Sequence, residues 1–238
     1  MDFRAGKAAT NAVGLSRRSV CAVIPALDAA STIAAVVEGA RALLETVVVV
    51  DDGSRDDTGA IAERAGAVVC THGCNRGKGA ALKTGLLWAR AHGFVVAVTL
   101  DADGQHPPAE IDTLLAATDD PGALVLGVRD LRSAGAPIAN QRSNAFANGF
   151  LSLVTRRRLR DTQCGLRRYP VERTLSLSVR DDRFGFETEL LLRAVRARVP
   201  IVQVPIDVRY PSDRTTHFDA RRDPWRIVAR VLRTLAGR

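Results

Sequence analysis

The stretch Thr46-Val-Val-Val-Val-Asp-Asp-Gly-Ser54 decides the fold. Five β-branched residues in a row leave no polar face, so the strand they form is buried on both sides, as in a parallel sheet covered by helices. The run stops at two aspartates, a glycine and a serine, the residue types of a β-to-α turn and a helix cap. Outward from it the same beat recurs. Residues 19–24 are an apolar run ending at Pro25, and 31–44 carry apolar residues at helical spacing. A helix is predicted at 56–65, a short strand at 67–70, an amphipathic helix at 77–91, a strand at 94–100, a helix at 108–117 and a strand at 123–127. Short buried strands alternating with helices predict an α/β fold with a parallel sheet. The second half is less regular: a helix at 138–154, a strand at 164–169, a helix at 184–198, a strand at 201–208 and a basic amphipathic helix at 224–235. No linker separates the halves, so one domain with a mixed sheet is expected.

Composition narrows the function. The chain has 238 residues, 46 % hydrophobic and 25 % charged, which excludes a disordered protein and suffices for a core without disulfide or metal staples. The formal charge is +8, and apart from Lys7, Lys78 and Lys83 every cation is arginine. The excess points to nucleic acid, a phosphate-bearing substrate or an acidic membrane surface, or to the arginine-rich usage of a biased genome. Aromatics are only 5 % and no nucleic-acid motif accompanies the charge, so nucleic acid is not expected as a partner. No apolar run approaches the ~20 residues that span a bilayer, and residues 1–18 lack the apolar segment of a secretory signal. The four cysteines have no Cys-x-x-Cys spacing. A reduced, cytoplasmic chain is expected.

In open α/β sheets ligands bind beyond the carboxyl ends of the strands, where this sequence puts its polar clusters: Pro25-Ala-Leu-Asp28, Asp51-Asp-Gly-Ser54 and Asp101-Ala-Asp-Gly-Gln105. Asp101 and Asp103 can turn toward one hard cation, Mg²⁺ or Mn²⁺, or form a solvated turn. An acid at 51–52 can accept from a nucleobase N–H, or the cluster caps the next helix. Gly73-Cys-Asn-Arg-Gly-Lys-Gly79 has neither the P-loop ending nor the dinucleotide fingerprint; Arg76 and Lys78 either approach a diphosphate or belong to a loop capping the helix. Arg129, Arg142, and Arg160 with Arg167, are cations able to neutralise phosphate, and Glu187 sits at a helix start. Arg156-Arg-Arg158 reads as a solvated helix end or a lipid-headgroup contact. Residues 221–238, with six arginines, fit a helix lying on an anionic membrane or docked on the sheet.

Taken in order, these segments resemble family 2 glycosyltransferases of the GT-A fold, closest to the dolichyl- and polyprenyl-phosphate sugar synthases. The strings that carry the likeness are Val23-Ile-Pro-Ala26, Val49-Val-Asp-Asp-Gly-Ser54, Asn75-Arg-Gly-Lys-Gly-Ala80, Asp101-Ala-Asp-Gly-Gln-His-Pro-Pro108, Asp161-Thr-Gln-Cys-Gly-Leu-Arg167 and Phe184-Gly-Phe-Glu-Thr-Glu-Leu190. The resemblance implies a three-layer α/β/α domain over 18–220 with a mixed, mainly parallel sheet, flanked by a tail at 1–17 and the helix at 221–238. It implies a metal-dependent, inverting transfer from an NDP-sugar, UDP-glucose favoured, to a polyprenyl phosphate or other lipid, with a soluble hydroxyl acceptor or a non-catalytic module as alternatives. Pro25, Ala26, Leu27 and Asp28 would line the nucleotide pocket and Asp52 would read the base. Asp101 and Ala102 would contact the nucleotide, Asp103 with Asp101 would hold Mg²⁺ or Mn²⁺, and Gln105 would lie near the donor sugar. Arg129 and Arg142 would bind diphosphate or acceptor phosphate. Asp161 and Glu187 are the competing base candidates. The first loop departs from the pattern, lacking its aromatic residue and both glutamates. The tail Tyr210-Pro-Ser-Asp-Arg-Thr-Thr-His-Phe218 resembles an acceptor-side loop, which would close over the donor with His217 touching diphosphate, or it is a plain surface loop. Peripheral contact with the inner face of the cell membrane, through 221–238, is expected.

Overall fold

A computed structural model of the chain describes residues 16–183 and 185–209. The tail before residue 16, the loop with His217 and the basic segment 221–238 lie outside the described residues.

Seven strands form one sheet: β1 (Val20–Ala26), β2 (Val47–Asp51), β3 (Val68–Thr71), β4 (Val96–Thr99), β5 (Leu124–Arg129), β6 (Arg167–Pro170) and β7 (Ile201–Ile206). Their order is β3-β2-β1-β4-β6-β5-β7, and every pair is parallel except the two made by β6. The helices are α1 (Ile33–Arg41), α2 (Thr58–Arg64), α3 (Lys78–Ala91), α4 (Glu110–Ala116), α5 (Ile138–Thr155), α6 (Val171–Ser176) and α7 (Phe186–Arg196). The valine run does what its composition demands: Val47 and Val49 pack with α1 and α2 on one face, while Val48 and Val50 pack with α3 on the other. Two apolar clusters therefore sandwich the sheet, one under α1, α2 and α4, the other under α3, α6 and α7, giving the expected three layers. Gly85 sets the closeness of one layer: a Cβ there would lie 2.3 Å from Val23 Cγ1.

Three departures from the sequence reading have local causes. β1 runs through Pro25 to Ala26. Its pairing with β4 ends at Val23 while its pairing with β2 continues, so no ladder bond is lost where proline has no N–H to give. The strand expected at 164–169 begins only at Arg167 and runs against its neighbours, and α6 was not foreseen. Reversal puts the segment before β6 beside the carboxyl end of β4: Thr99 pairs with Arg167, and Thr99 Oγ1 donates to the Gly165 carbonyl at 2.7 Å.

Candidate functional site

β1 and β4 part company beyond Val23 and Thr99, at the point where the strand order reverses. That crevice is where an α/β sheet admits a ligand. One wall is the loop after β1, with Leu27 42 % exposed and Asp28 in the left-handed region at φ 49°. In place of the two missing glutamates, this loop is laced to the β2–α2 connection. The Asp28 N–H donates to Ser54 Oγ (3.0 Å), Ala29 N–H to Thr58 Oγ1 (2.7 Å) and Ala30 N–H to Asp56 Oδ2 (3.1 Å), while Asp28 Oδ1 accepts from the Arg55 N–H (2.7 Å).

Asp52 does not have the freedom that base reading through its carboxylate would ask of it. It is buried, and both its oxygens are engaged by protein. Oδ1 meets His72 Nδ1 at 2.6 Å and accepts from the Arg76 N–H at 3.0 Å, and Oδ2 accepts from the Gly77 N–H at 2.7 Å. His72 Nε2 lies 2.9 Å from Thr84 Oγ1 on α3. Asp52 with His72 thus clamps the glycine-rich loop against the helix it opens. Gly77 has to be glycine there: its φ is +106° and a Cβ would sit 2.4 Å from the Asp182 carbonyl oxygen.

Lys78, the first residue of α3, reaches across the crevice. Its Nζ is 2.7 Å from Asp101 Oδ1 and 3.0 Å from Glu187 Oε1. Burial opposes the ammonium charge, but the two carboxylates outweigh it and raise the Lys78 pKa above its ordinary value. Burial likewise opposes the Asp101 carboxylate, and the Lys78 charge, with the His106 imidazole nearby, overcomes it, holding Asp101 well below the usual carboxylate range. His106 Nε2 stands 3.8 Å from Asp101 Oδ2, in a buried imidazole whose Nδ1 has no partner among the described residues. Gly165 makes room for this carboxylate, since a Cβ there would lie 2.2 Å from Asp101 Oδ2. The rest of the loop is fixed by backbone: Thr32 Oγ1 donates to the Ala102 carbonyl (2.7 Å), the Gln105 N–H to Asp103 Oδ1 (3.0 Å), and the Arg209 N–H to the Gln105 carbonyl (2.8 Å).

Across the crevice, Asp161 is 1 % exposed and surrounded by donors. Arg129 reaches it three times, through Nε to Oδ2 (2.7 Å), Nη2 to Oδ1 (3.1 Å) and its backbone N–H to Oδ2 (3.2 Å). Asn144 Nδ2 (2.7 Å) and the N–H groups of Gln163 (3.2 Å) and Cys164 (3.1 Å) complete the shell at Oδ1. Burial opposes this charge, but the Arg129 bonds and charge prevail and lower the Asp161 pKa. So engaged, it is a poor proton acceptor, and its geometry is that of a group that fixes Arg129. Glu187, the other base candidate, is tied to Lys78. Arg142 is exposed on α5 and takes no part in the bonds around Asp161. Arg167, read as a phosphate cation, is fully buried: Nε donates to the Cys164 carbonyl (2.8 Å) and Nη2 to that of Thr162 (2.7 Å), so it holds the 161–166 loop. His72, His106 and Asn144 are the site residues that sequence reasoning missed; none carries a spacing signal.

No group of three or more His, Cys, Asp or Glu side chains is placed to cage a metal among the described residues. Mg²⁺ or Mn²⁺ takes one or two carboxylates and completes its shell with phosphate oxygens and water; Asp103 and Asp101 are carboxylates of that kind, with Asp101 Oδ1 already held by Lys78.

The architecture is that of the GT-A glycosyltransferases. The family model for glycosyl transferase family 2 matches residues 21–175, and the chain belongs to that family. It is a glycosyltransferase related to polyprenyl-phosphate sugar transferases. It is 31 % identical to the polyprenol monophosphomannose synthase of Mycolicibacterium smegmatis, over 67 % of this chain and 65 % of that protein. It is 30 % identical to the human dolichyl-phosphate beta-glucosyltransferase, over 68 % of this chain and 55 % of that protein. The chain thus spans a little over half to two thirds of these relatives. Among solved structures, glucosyl-3-phosphoglycerate synthase from Mycobacterium tuberculosis, in complex with Mn²⁺, UDP and phosphoglyceric acid, superposes with a TM-score of 0.73 at 22 % identity, covering 91 % of this chain and 78 % of that one. No helix among the described residues is long and apolar enough to cross a membrane.

Proposed function

We propose that the chain moves a hexose, glucose from UDP-glucose in the first instance, onto a polyprenyl phosphate or another lipid acceptor with inversion at the anomeric carbon. The observation that carries this reading is the condition of the two base candidates: Asp161 is saturated with donors and Glu187 is paired with Lys78. A hydroxyl acceptor needs a general base within hydrogen-bond reach. A phosphate acceptor arrives ionised and needs cations instead, and Arg129 is fixed beside the crevice. The names of the relatives support a lipid phosphate, and the UDP and Mn²⁺ in the M. tuberculosis complex support the donor and the cation.

In this reading residues 25–28 and the loop clamped by Asp52 bound the nucleotide. Asp103, with Asp101, would hold Mg²⁺ or Mn²⁺, which when bound offsets the charge growing on the nucleoside diphosphate. Lys78 adds a fixed cation beside Asp101. Gln105 lies next to the donor sugar, and Arg129 receives the acceptor phosphate, while Arg142 stands on the outer face of α5. The phosphate oxygen attacks the anomeric carbon from the face opposite the diphosphate. A C–O bond forms there as the bond to the diphosphate breaks, with no proton to remove.

The test is calorimetric binding of UDP, GDP, UDP-glucose and GDP-mannose with Mn²⁺ or EDTA, using wild type and Asp103→Ala, followed by transfer from labelled UDP-glucose to polyprenyl phosphate. Metal-dependent UDP binding lost in the variant, with label on the lipid, is expected. Absence of binding by the folded protein would sink the donor site, and label appearing only on a hydroxyl acceptor would sink the acceptor assignment.

A further inference from the structure

α5 is built inside out. The face it turns to the protein carries Ser143, Asn144, Ala147 and Leu151, all buried, and Asn148 beside them accepts from the Thr162 N–H and Oγ1 at 2.8 Å. The opposite face carries Ile138 at 67 % exposure, Phe146 at 46 % and Leu153 at 77 %, with exposed Ala145 and Gly149 between them. Ile138, Arg142 and Phe146 follow at steps of four, and Phe146, Gly149 and Leu153 at steps of three and four, so the apolar residues share one face with Arg142 set among them. The polar groups point inward because Asn144 is needed at Asp161, which leaves the apolar ones outside. Large apolar side chains exposed together on one helix face, with a basic residue among them, mark a surface that something else covers.

Charge indicates what covers it. Between residues 131 and 160 there are six arginines and no Asp or Glu. All six, Arg132, Arg142, Arg156, Arg157, Arg158 and Arg160, are exposed. We propose that the outer face of α5, with these arginines, docks on an anionic lipid bilayer. An anionic surface favours each nearby arginine by a factor of about five, and apolar side chains shallowly inserted beside basic ones are how interfacial helices bind. The other occupants fit less well. A second copy would bring its own arginine cluster to the same surface, and three exposed apolar side chains fall far short of the roughly 800 Å² per partner of a stable interface. The chain's own 221–238 segment holds six arginines against one aspartate and would face like charge. The inner face of α5 touches Asp161, which holds Arg129, so docking would bring the headgroup plane to the acceptor side. Only that last consequence rests on the proposed acceptor.

The experiment is flotation of the full chain with vesicles of phosphatidylcholine alone or mixed with phosphatidylglycerol. It compares wild type, the triple variant Ile138→Gln, Phe146→Gln, Leu153→Gln, and a control triple Ile227→Gln, Val231→Gln, Leu235→Gln. Wild type and control are expected to float with anionic vesicles only. The α5 triple should lose roughly tenfold or more of its partitioning while keeping its melting temperature and its Mn²⁺-dependent UDP binding. Flotation of the α5 triple equal to wild type, loss of flotation in the control alone, or no wild-type flotation would each overturn the proposal. So would a wild-type dimer that the α5 triple dissolves. If wild type floats as described yet binds no nucleotide, the donor reading fails and the docking surface stands.

Discussion

Replacing Asp161 by asparagine separates a base from a scaffold. The substitution keeps shape and removes charge where six N–H donors converge. Four of them meet Oδ1 and two meet Oδ2, so the amide nitrogen takes the Oδ2 position and points at the Arg129 backbone N–H and Nε. Arg129, 12 % exposed at its side chain, is left without its counter-charge. Removing one partner of a buried ion pair costs about 3–5 kcal/mol. In a domain of this size each kcal/mol lowers the melting temperature by about 2–4 °C, so a fall on the order of 10 °C is expected. Thermal and urea unfolding of Asp161→Asn, Arg129→Met and the double variant measure it. The double should recover part of the loss, because it leaves no unpaired charge. A variant within about 1 kcal/mol of wild type, yet with turnover abolished, would refute the scaffold reading and restore Asp161 as the base.

Gly165→Ala should weaken Mn²⁺-dependent nucleotide binding, because the added Cβ forces the Asp101 carboxylate aside; overpacking of this kind costs about 1–3 kcal/mol, and unchanged calorimetry would dismiss the close contact. The native pKa values of Asp101 and Asp161 lie below their unfolded ones. Their contribution to stability is therefore present above about pH 4 and lost as pH falls through the native values. The urea midpoint of wild type should drop on acidification more steeply than that of Asp161→Asn, and parallel curves would deny the linkage. Burial pushes the thiols of Cys21 and Cys164 up to about 12 and raises Cys70, while Cys74 is exposed. A thiol reagent near pH 8 should modify Cys74 first, Cys70 more slowly, and the other two only on unfolding; rapid labelling of all four would mean the core is open.

The sheet was legible because strands buried on both faces are written as unbroken apolar runs, and the ends of those runs located the crevice. The reversed β6 was not, because strand direction is fixed by partners rather than by the strand's own residues. The site was legible as residue types and much less as roles. Asp52 and Arg167 looked like groups waiting for a ligand, since the backbone donors and carbonyls that occupy them come from loops whose paths only the fold determines. From its place in the glycine-rich loop, Lys78 reads as either a diphosphate contact or part of a helix-capping loop. It bridges Asp101, 23 residues on, and Glu187, 109 residues on, and such a bridge leaves no spacing to read.

The reversed strand has a consequence for how such an enzyme can change. Six strands finish at the edge of the sheet that bears the crevice and β6 starts there, so the segment before β6 reaches the crevice by its leading end. The walls after β1, β2 and β4 come from the first 105 residues, while Arg129, α5 and Asp161 come from one continuous stretch, 129 to 166. The two substrates would thus be addressed by separate lengths of chain, meeting chiefly where Gly165 lies against Asp101. Exchanging the second length between relatives should redirect the recipient of the sugar and leave the nucleotide alone, so a lineage can retarget one half by recombination without reinventing the other.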